Sequence, residues 1–287
     1  MSEGVWDYWQ STPDGIRSFI IAALSAWFGA WLNGRAVKRR LIIDELRSLD
    51  AANALCFSIA SNYIAIKHQY INEINLIYKK LINDYYDHMN KCIIFNVKSD
   101  FHFDMDLTVI PAIKFPIEYL EKIVCEKVSI GGEGVATVVA LSVAIADLNT
   151  SINLRNELCS EFRQTSQNSS EKKSKYLGIF FEDKCDSRFR NNIEALVHRT
   201  DDCIYFSKHL SSLIVRIVNK IRSRNLLFFL SGQKLNEIDW KIAEEAGLMP
   251  DATEYSNWHR GFVKRPSIFS RVKLWLNKSL GKFNFFV

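Results

Sequence analysis

The chain has 287 residues, of which 48% are hydrophobic and 24% charged, a composition that excludes wholesale disorder. Its 12 glycines and 5 prolines are too few for a turn-rich β-sandwich or barrel, and a mean hydropathy of −0.07 argues against a polytopic membrane protein. The net charge of +5 is modest, so its meaning depends on where the charged residues lie along the chain.

The N-terminal part contains an uncharged apolar stretch, since no charged residue occurs between Arg17 and Arg35. A helix over 16–34 would be about 28 Å long, close to the thickness of a bilayer core. Aromatic residues, which favour the headgroup level, flank this stretch or lie near its far end: Trp6, Tyr8, Trp9, Trp27 and Trp31. The sequence therefore predicts a transmembrane helix over 16–34, with a buried helix of a soluble core as the alternative.

The charges on either side of this stretch predict its orientation. The leading segment is acidic, which does not fit a signal peptide, and a basic block follows the stretch directly: Arg35, Lys38, Arg39 and Arg40. The positive-inside rule places 35–260 in the cytoplasm and leaves 1–15 as a short external tail of a single-pass inner-membrane protein. The six cysteines are widely spaced without a C-x-x-C pair, which favours free thiols in a reducing compartment and agrees with this orientation.

Small residues recur at every fourth position of the predicted span: Ser18, Ala22, Ala26, Ala30 and Gly34. This spacing puts them on one ridge of the helix. Because small side chains let two backbones approach closely in lipid, we expect the chain to form a homo-oligomer through this ridge. Chance in an alanine-rich segment is the alternative explanation.

The rest of the chain is predicted to form long helices. Apolar stripes with helical spacing place them over four ranges: 35–92, 117–127, 135–163 and 186–224. The polar stretch 164–175 is predicted to be a mobile loop joining the last two. The stripe from Ile59 to Leu81 has heptad spacing, so it offers a second seam for self-association or packs within the chain. The expected fold is mainly α: an N-terminal transmembrane helix running into a long-helix cytoplasmic bundle, with a small extended or β segment near 93–110.

The segment near 93–110 supplies the candidates for chemistry. Apolar and polar residues alternate there, which predicts a strand with His102, Asp104 and Asp106 on one face, spaced roughly 6.6 Å apart. An imidazole with two carboxylates can hold Mn, Fe or Zn, so a metal-dependent enzyme is one alternative. An exposed polar strand face is the simpler interpretation, and we expect no cofactor. No nucleophile elbow, H-E-x-x-H or kinase signature occurs in the sequence.

The C-terminal stretch 261–287 is basic and amphipathic, since no acidic residue follows Glu254 and bulky apolar residues alternate with basic ones. Such a stretch suits an anionic membrane surface. The residues expected to contact that surface, besides the basic block at 35–40, are Arg271, Lys273, Trp275, Lys278 and Lys282. Packing on the core is the alternative, and a nucleic-acid contact is possible but not favoured.

These features predict a membrane-anchored helical interaction or effector protein without catalytic activity of its own. Its expected partners are the lipid bilayer, further copies of the chain and a protein of unknown identity. The abundance of Ile, Asn and Lys suggests an AT-rich coding source. Bacterial phage-defence and toxin-type proteins with one membrane anchor share that composition, so an effector that perturbs the membrane is one hypothesis. A nucleic-acid-binding module tethered to the membrane is another.

Overall fold

The structure is a computed structural model that describes residues 13–128, 130–164, 170–225, 235 and 238–262. These residues are mainly helical, which confirms the predicted fold class. In chain order the elements are α1 (Asp14–Ile66), a π-helical turn (Lys67–Ile71), α2 (Asn72–Phe95), α3 (Ile117–Lys122), a second π-helical turn (Ile123–Lys127), α4 (Gly132–Gln164), α5 (Ser170–Leu177), β1 (Phe180–Phe181), β2 (Lys184–Cys185), α6 (Arg188–Arg224), α7 (Lys241–Glu245), a 3₁₀ turn (Ala252–Tyr255) and α8 (Ser256–Arg260).

The core lies where three long helices meet, with α6 packed against both α1 and α4. Helix α6 runs antiparallel to α1. The hydroxyl of Ser211 donates a hydrogen bond to the side-chain oxygen of Asn53, and Asp201, earlier in α6, pairs with Lys67, which follows α1. The C-terminal end of α6 therefore lies beside the part of α1 where the core begins.

The apolar stripe predicted along 59–81 is used by the core of its own chain. Ile59 and Tyr63 are 1% and 0% exposed, and Ile66 and Ile74 are also buried. Only near the C-terminal end of the stripe is a member clearly exposed, at Ile77. The stripe suggested as a second seam for self-association is therefore largely covered. This agrees with the alternative interpretation, in which it packs within its own chain.

The π-helical turn Lys67–Ile71 joins α1 to α2 and was not predicted from the sequence. Lys67 is 6% exposed, and its ammonium group donates to the Asp201 carboxylate at 2.5 Å and to the Leu248 carbonyl oxygen at 3.0 Å. A buried ammonium is costly unless it is paired and hydrogen-bonded, and here it is both. The contact fixes α1 against α6 and against the segment that follows α7.

Residues 97–116 form an extended strap instead of the predicted strand, and α2 continues as far as Phe95. The predicted alternation is present, because Phe101 and Phe103 are half-buried while His102 and Asp104 are exposed. Within the described residues, however, the strap pairs with no strand, and the only sheet is the short hairpin of β1 and β2. The strand prediction was wrong because the alternation of apolar and polar residues shows only which side chains face the core. It does not show whether the backbone is hydrogen-bonded to another strand.

Side chains of α4 bind the backbone of the strap. The Arg155 side chain is fully buried, and its guanidinium donates to the carbonyl oxygens of Thr108 and Asp106 while lying 3.6 Å from the Asp106 carboxylate. The next residue, Asn156, donates to the Ile110 carbonyl oxygen at 2.9 Å and accepts from the Ile110 amide at 3.1 Å. The strap is therefore held by an arginine and an amide side chain, in place of a strand partner.

Part of the stretch predicted to be a mobile loop, 164–175, is helical. Helix α4 continues to Gln164, and α5 begins at Ser170, while 165–169 lie outside the described residues. The residue that anchors α5 lies just beyond this polar stretch, so the local composition did not reveal it. Tyr176 is 2% exposed, and its ring centroid lies 4.4 Å from that of Phe189. Burial of Tyr176 stabilises a short helix whose other residues are mostly polar.

We expect Arg155→Met to release the strap. The carbonyl oxygens of Thr108 and Asp106 would lose their buried donor, and the free energy of unfolding should fall by about 3 kcal/mol. Limited proteolysis with chymotrypsin, read by mass spectrometry, should show faster cleavage near Phe101. Arg163→Met is the control, because the exposed Arg163 makes only a peripheral bond to the strap, at 2.7 Å to the Leu107 carbonyl oxygen. Equal cleavage of the two variants would contradict the assignment.

Candidate functional site

The N-terminal part of α1 projects from the bundle with its apolar side chains exposed. Phe19, Trp27 and Leu24 are 73%, 66% and 59% exposed, and the first buried side chain described in α1 is Leu46. The helix over 16–41 extends about 39 Å beyond the core. Apolar surface of this extent is unusual on a soluble monomer and requires a bilayer or a partner to cover it.

Two helices among the described residues are long and apolar enough to cross a membrane. In the first, Ile16–Phe95, the most apolar window is near the N-terminus and 0% of it is buried. In the second, Gly132–Gln164, 44% of the window is buried, and this helix is α4 of the core. The exposed window overlaps the predicted span 16–34, whereas α4 packs in the core.

A basic collar surrounds the point where α1 enters the bundle. It consists of residues on α1 and residues on the last turns of α6: Arg35, Lys38, Arg39, Arg40, Arg47, Arg216, Lys220, Arg222 and Arg224. Arg35, Arg39, Arg40 and Arg47 line one shallow groove. A second groove, beside Glu45, is lined by Arg216, Lys220 and Arg224 of α6.

The α6 half of the collar was not predicted, because it adjoins α1 only once the helices pack antiparallel. Arg222 on α6 lies 3.9 Å from the Asp50 carboxylate on α1, and this ion pair holds the end of α6 beside α1. At the other edge of the collar, the Arg35 guanidinium lies 5.3 Å from the centre of the Trp31 ring. A cation over an aromatic face at the end of an apolar helix is typical of a membrane interface.

The small-residue ridge is uncovered within one chain. Ser18, Ala22, Ala26, Ala30 and Gly34 are all exposed, and α1 continues through Gly34 without interruption. A Cβ atom placed on Gly34, or on Gly29 nearby, would meet nothing within 4 Å. The bundle therefore leaves this face of the helix open to another helix.

The C-terminal membrane-surface residues lie outside the described residues. These are Arg271, Lys273, Trp275, Lys278 and Lys282, since the description of the C-terminal part ends at residue 262. The tail 1–12 is outside it as well.

The three residues predicted as weak metal ligands are not brought together. His102 and Asp104 are exposed and line a shallow groove with Lys172 and Lys173, whose ammonium groups disfavour a divalent cation. Asp106 is already occupied, since its carboxylate accepts the Thr108 amide at 2.9 Å and faces Arg155. Within the described part of the chain, these three residues do not form a cluster of metal-ligating side chains.

A different set of ligating side chains meets at the start of α4. Glu133 of α4, His209 of α6 and His259 of α8 each place one ligand atom within 4.8 Å of the others. The Nε2 atom of His209 lies 3.3 Å from Oε1 of Glu133, and the Tyr205 hydroxyl contacts Nε2 of His259. This cluster was not predicted from the sequence, because its three residues are far apart along the chain.

Aromatic rings enclose this cluster. The Tyr205 ring stacks on Tyr255 with 3.6 Å between centroids, and the Trp258 ring stands edge-on to His209 at 5.5 Å. Burial lowers the pKa of His209, and the neighbouring His259 lowers it further, while Glu133 opposes both effects. The His209 imidazole is therefore biased toward its neutral form, the form that ligates metals.

No match to the chain was found among protein families, curated proteins or solved structures. The function is therefore inferred from the residues of the chain itself. The feature that bears on it most directly is the exposed apolar helix with basic residues directly after it.

We expect Leu24→Arg to impair membrane insertion, because a charge at the centre of a span costs about 3 kcal/mol. Leu41→Arg is the matched control: Leu24 and Leu41 are both exposed leucines of α1, at 59% and 64%, but Leu41 lies beyond the predicted span. Extraction of membranes with alkaline carbonate should release Leu24→Arg and leave the wild type and Leu41→Arg in the pellet. Recovery of the wild type in a salt-washed soluble fraction would refute the membrane span.

Proposed function

We propose that the chain is a single-pass protein of the cytoplasmic membrane that holds a helical interaction or effector module directly beneath the inner leaflet. In this proposal 16–34 spans the bilayer, the bundle lies in the cytoplasm and the chain catalyses no reaction of its own. The observation that carries the proposal is the exposure of the whole apolar window of α1, since a helix of a soluble core would bury it.

The position of the collar supports a cytoplasmic bundle. Residue 34 ends the proposed span, and the helix enters the bundle near Ile42, about 12 Å further along at ~1.5 Å per residue. The collar then lies at the level of the headgroups and just below it. Anionic lipids of the inner leaflet attract each basic residue near the surface by about 1 kcal/mol, so this arrangement favours one orientation.

The thiols are compatible with the same compartment. All six cysteines are free, with Cys56, Cys159 and Cys203 buried and with Cys125 and Cys185 exposed. Exposed thiols are retained most readily in a reducing environment.

The two exposed cysteines provide a topology test without engineering the bundle. In sealed right-side-out membrane vesicles, a membrane-impermeant maleimide should leave Cys125 and Cys185 unlabelled until the vesicles are permeabilised. Ser11→Cys, in the predicted external tail, should be labelled in the sealed vesicles and serves as the positive control. Labelling of Cys185 in sealed vesicles would reverse the proposed orientation.

Self-association through the membrane helix is the second part of the proposal. Lipid supplies no hydrophobic drive for helix pairing, so close packing of backbones must supply it, and the open ridge from Ser18 to Gly34 permits that approach. The span lacks charged residues between Arg17 and Arg35, so an assembly of several copies would have no charged side chains to line an ion-conducting pore. This favours an anchor and association element over a pore.

We expect Ala26→Leu to insert normally and to associate more weakly, because a larger side chain on the ridge holds two helices apart. The loss should be about tenfold in the dimerisation constant, since such contacts contribute ~1–2 kcal/mol. Leu24→Phe, which adds volume on roughly the opposite side of the helix, is the control and should leave association unchanged. Mass measurement or cross-linking in mild detergent reads the result. A monomeric wild type would rule out association through this face.

A further inference from the structure

Three ligating side chains converge on one point from three separate elements. Glu133 is at the start of α4, His209 is in the middle of α6 and His259 is in the short helix α8. Their ligand atoms all lie within 4.8 Å of one another. No other group of three or more such residues is found within the described ranges.

The geometry points to a divalent transition-metal site of the zinc class at Glu133, His209 and His259. Ligand atoms around a tetrahedral zinc are about 3.3 Å apart, given bonds of ~2.0–2.1 Å. His209 Nε2 and Glu133 Oε1 already lie 3.3 Å apart. The remaining separations are no greater than 4.8 Å.

The environment of His209 supports a ligand role. Its Nε2 atom is buried and faces a Glu133 carboxylate oxygen at 3.3 Å, without a well-aligned hydrogen bond to a described residue. A metal ion between the two atoms would satisfy both of them. Two neutral imidazoles and one carboxylate suit Zn²⁺ and its neighbours in the transition series, and three protein ligands leave a fourth position open.

Outer contacts position the ligands. The Tyr205 hydroxyl contacts Nε2 of His259, and an outer partner of this kind fixes the orientation of a ligating imidazole. Glu133 supplies the negative charge that offsets Arg216, which lines the adjoining groove. Tyr205 is accordingly a positioning residue, and Glu133, His209 and His259 are the ligands.

The site would tie α8 to the bundle. In the described residues α8 is a single short helix that rests on α6 through Trp258 and through Tyr255 of the turn before it, so a metal bond to His259 would add a strong link. The stretch predicted to be basic and amphipathic, 261–287, follows α8 directly in the sequence. The inference is independent of the proposed membrane function, since it depends only on side chains inside the bundle.

The test is a Co²⁺ titration of the full-length chain, purified without a histidine tag in mild detergent and stripped of metal. We expect saturable ligand-field absorbance at one equivalent, displaced by Zn²⁺, and a rise in thermal unfolding temperature with either metal. His209→Gln and His259→Gln should each weaken Co²⁺ binding by more than about tenfold, the least that loss of an outer-shell partner costs. Glu133→Gln should do the same with the least change in packing.

His198→Gln is the matched control, because His198 is an exposed histidine on the same helix, outside the cluster. It should bind Co²⁺ as the wild type does. Circular dichroism of each variant separates loss of binding from loss of folding. The proposal is overturned if the wild type shows no saturable binding, or if folded His209→Gln and His259→Gln both bind as the wild type does. A thiolate-to-cobalt charge-transfer band, which would assign the metal to the exposed Cys125 and Cys185, overturns it as well.

Discussion

One unbroken helix with two different environments determines the rest of the structure. Between residues 21 and 41 helix α1 is exposed on every side, and it supplies core side chains from Leu46 onward, with no loop between the two parts. A helix cannot bend freely, so the direction of the exposed part is set by the packing of the buried part. The bundle, the collar and the apolar stretch therefore have fixed relative positions, and a partner or bilayer that covers the first part also orients the second.

Two buried cations stabilise the bundle around this helix in different ways. Lys67 pairs with Asp201 and so joins α1 to α6, while Arg155 binds carbonyl oxygens of the strap and so joins α4 to 97–116. Neither arrangement gains much net energy over an apolar core, because desolvation offsets the attraction. Their effect is specificity: loss of either cation would leave buried acceptors unpaired, so alternative packings of the long helices are disfavoured.

The sequence predicted the long helices well because their signal is local and repeated. The stripe that includes Phe189, Ile193 and Leu196 spans ten turns of α6, so no single exception changes the prediction. The strand prediction failed because Phe101, His102 and Phe103 alternate as a strand does. The side chains that bind the strap further along, at 106–110, are Arg155 and Asn156, which follow it by 46 to 49 residues. Hydrogen bonds between a backbone and distant side chains produce no periodic pattern in the sequence, so no local pattern could have predicted how the strap is held.

The same reasoning explains why the candidate sites divide into a predictable and an unpredictable part. The apolar stretch and the basic block at 35–40 are contiguous, so composition alone identifies them. The α6 half of the collar and the Glu133–His209–His259 cluster exist only because α6 runs antiparallel to both α1 and α4, which brings Arg222 beside Asp50 and His209 beside Glu133. Both features lie toward the end of the bundle from which α1 projects. A metal ion holding α8 there would act on the chain where the basic stretch 261–287 begins, so the two proposals, although independent in their tests, concern the same end of the bundle.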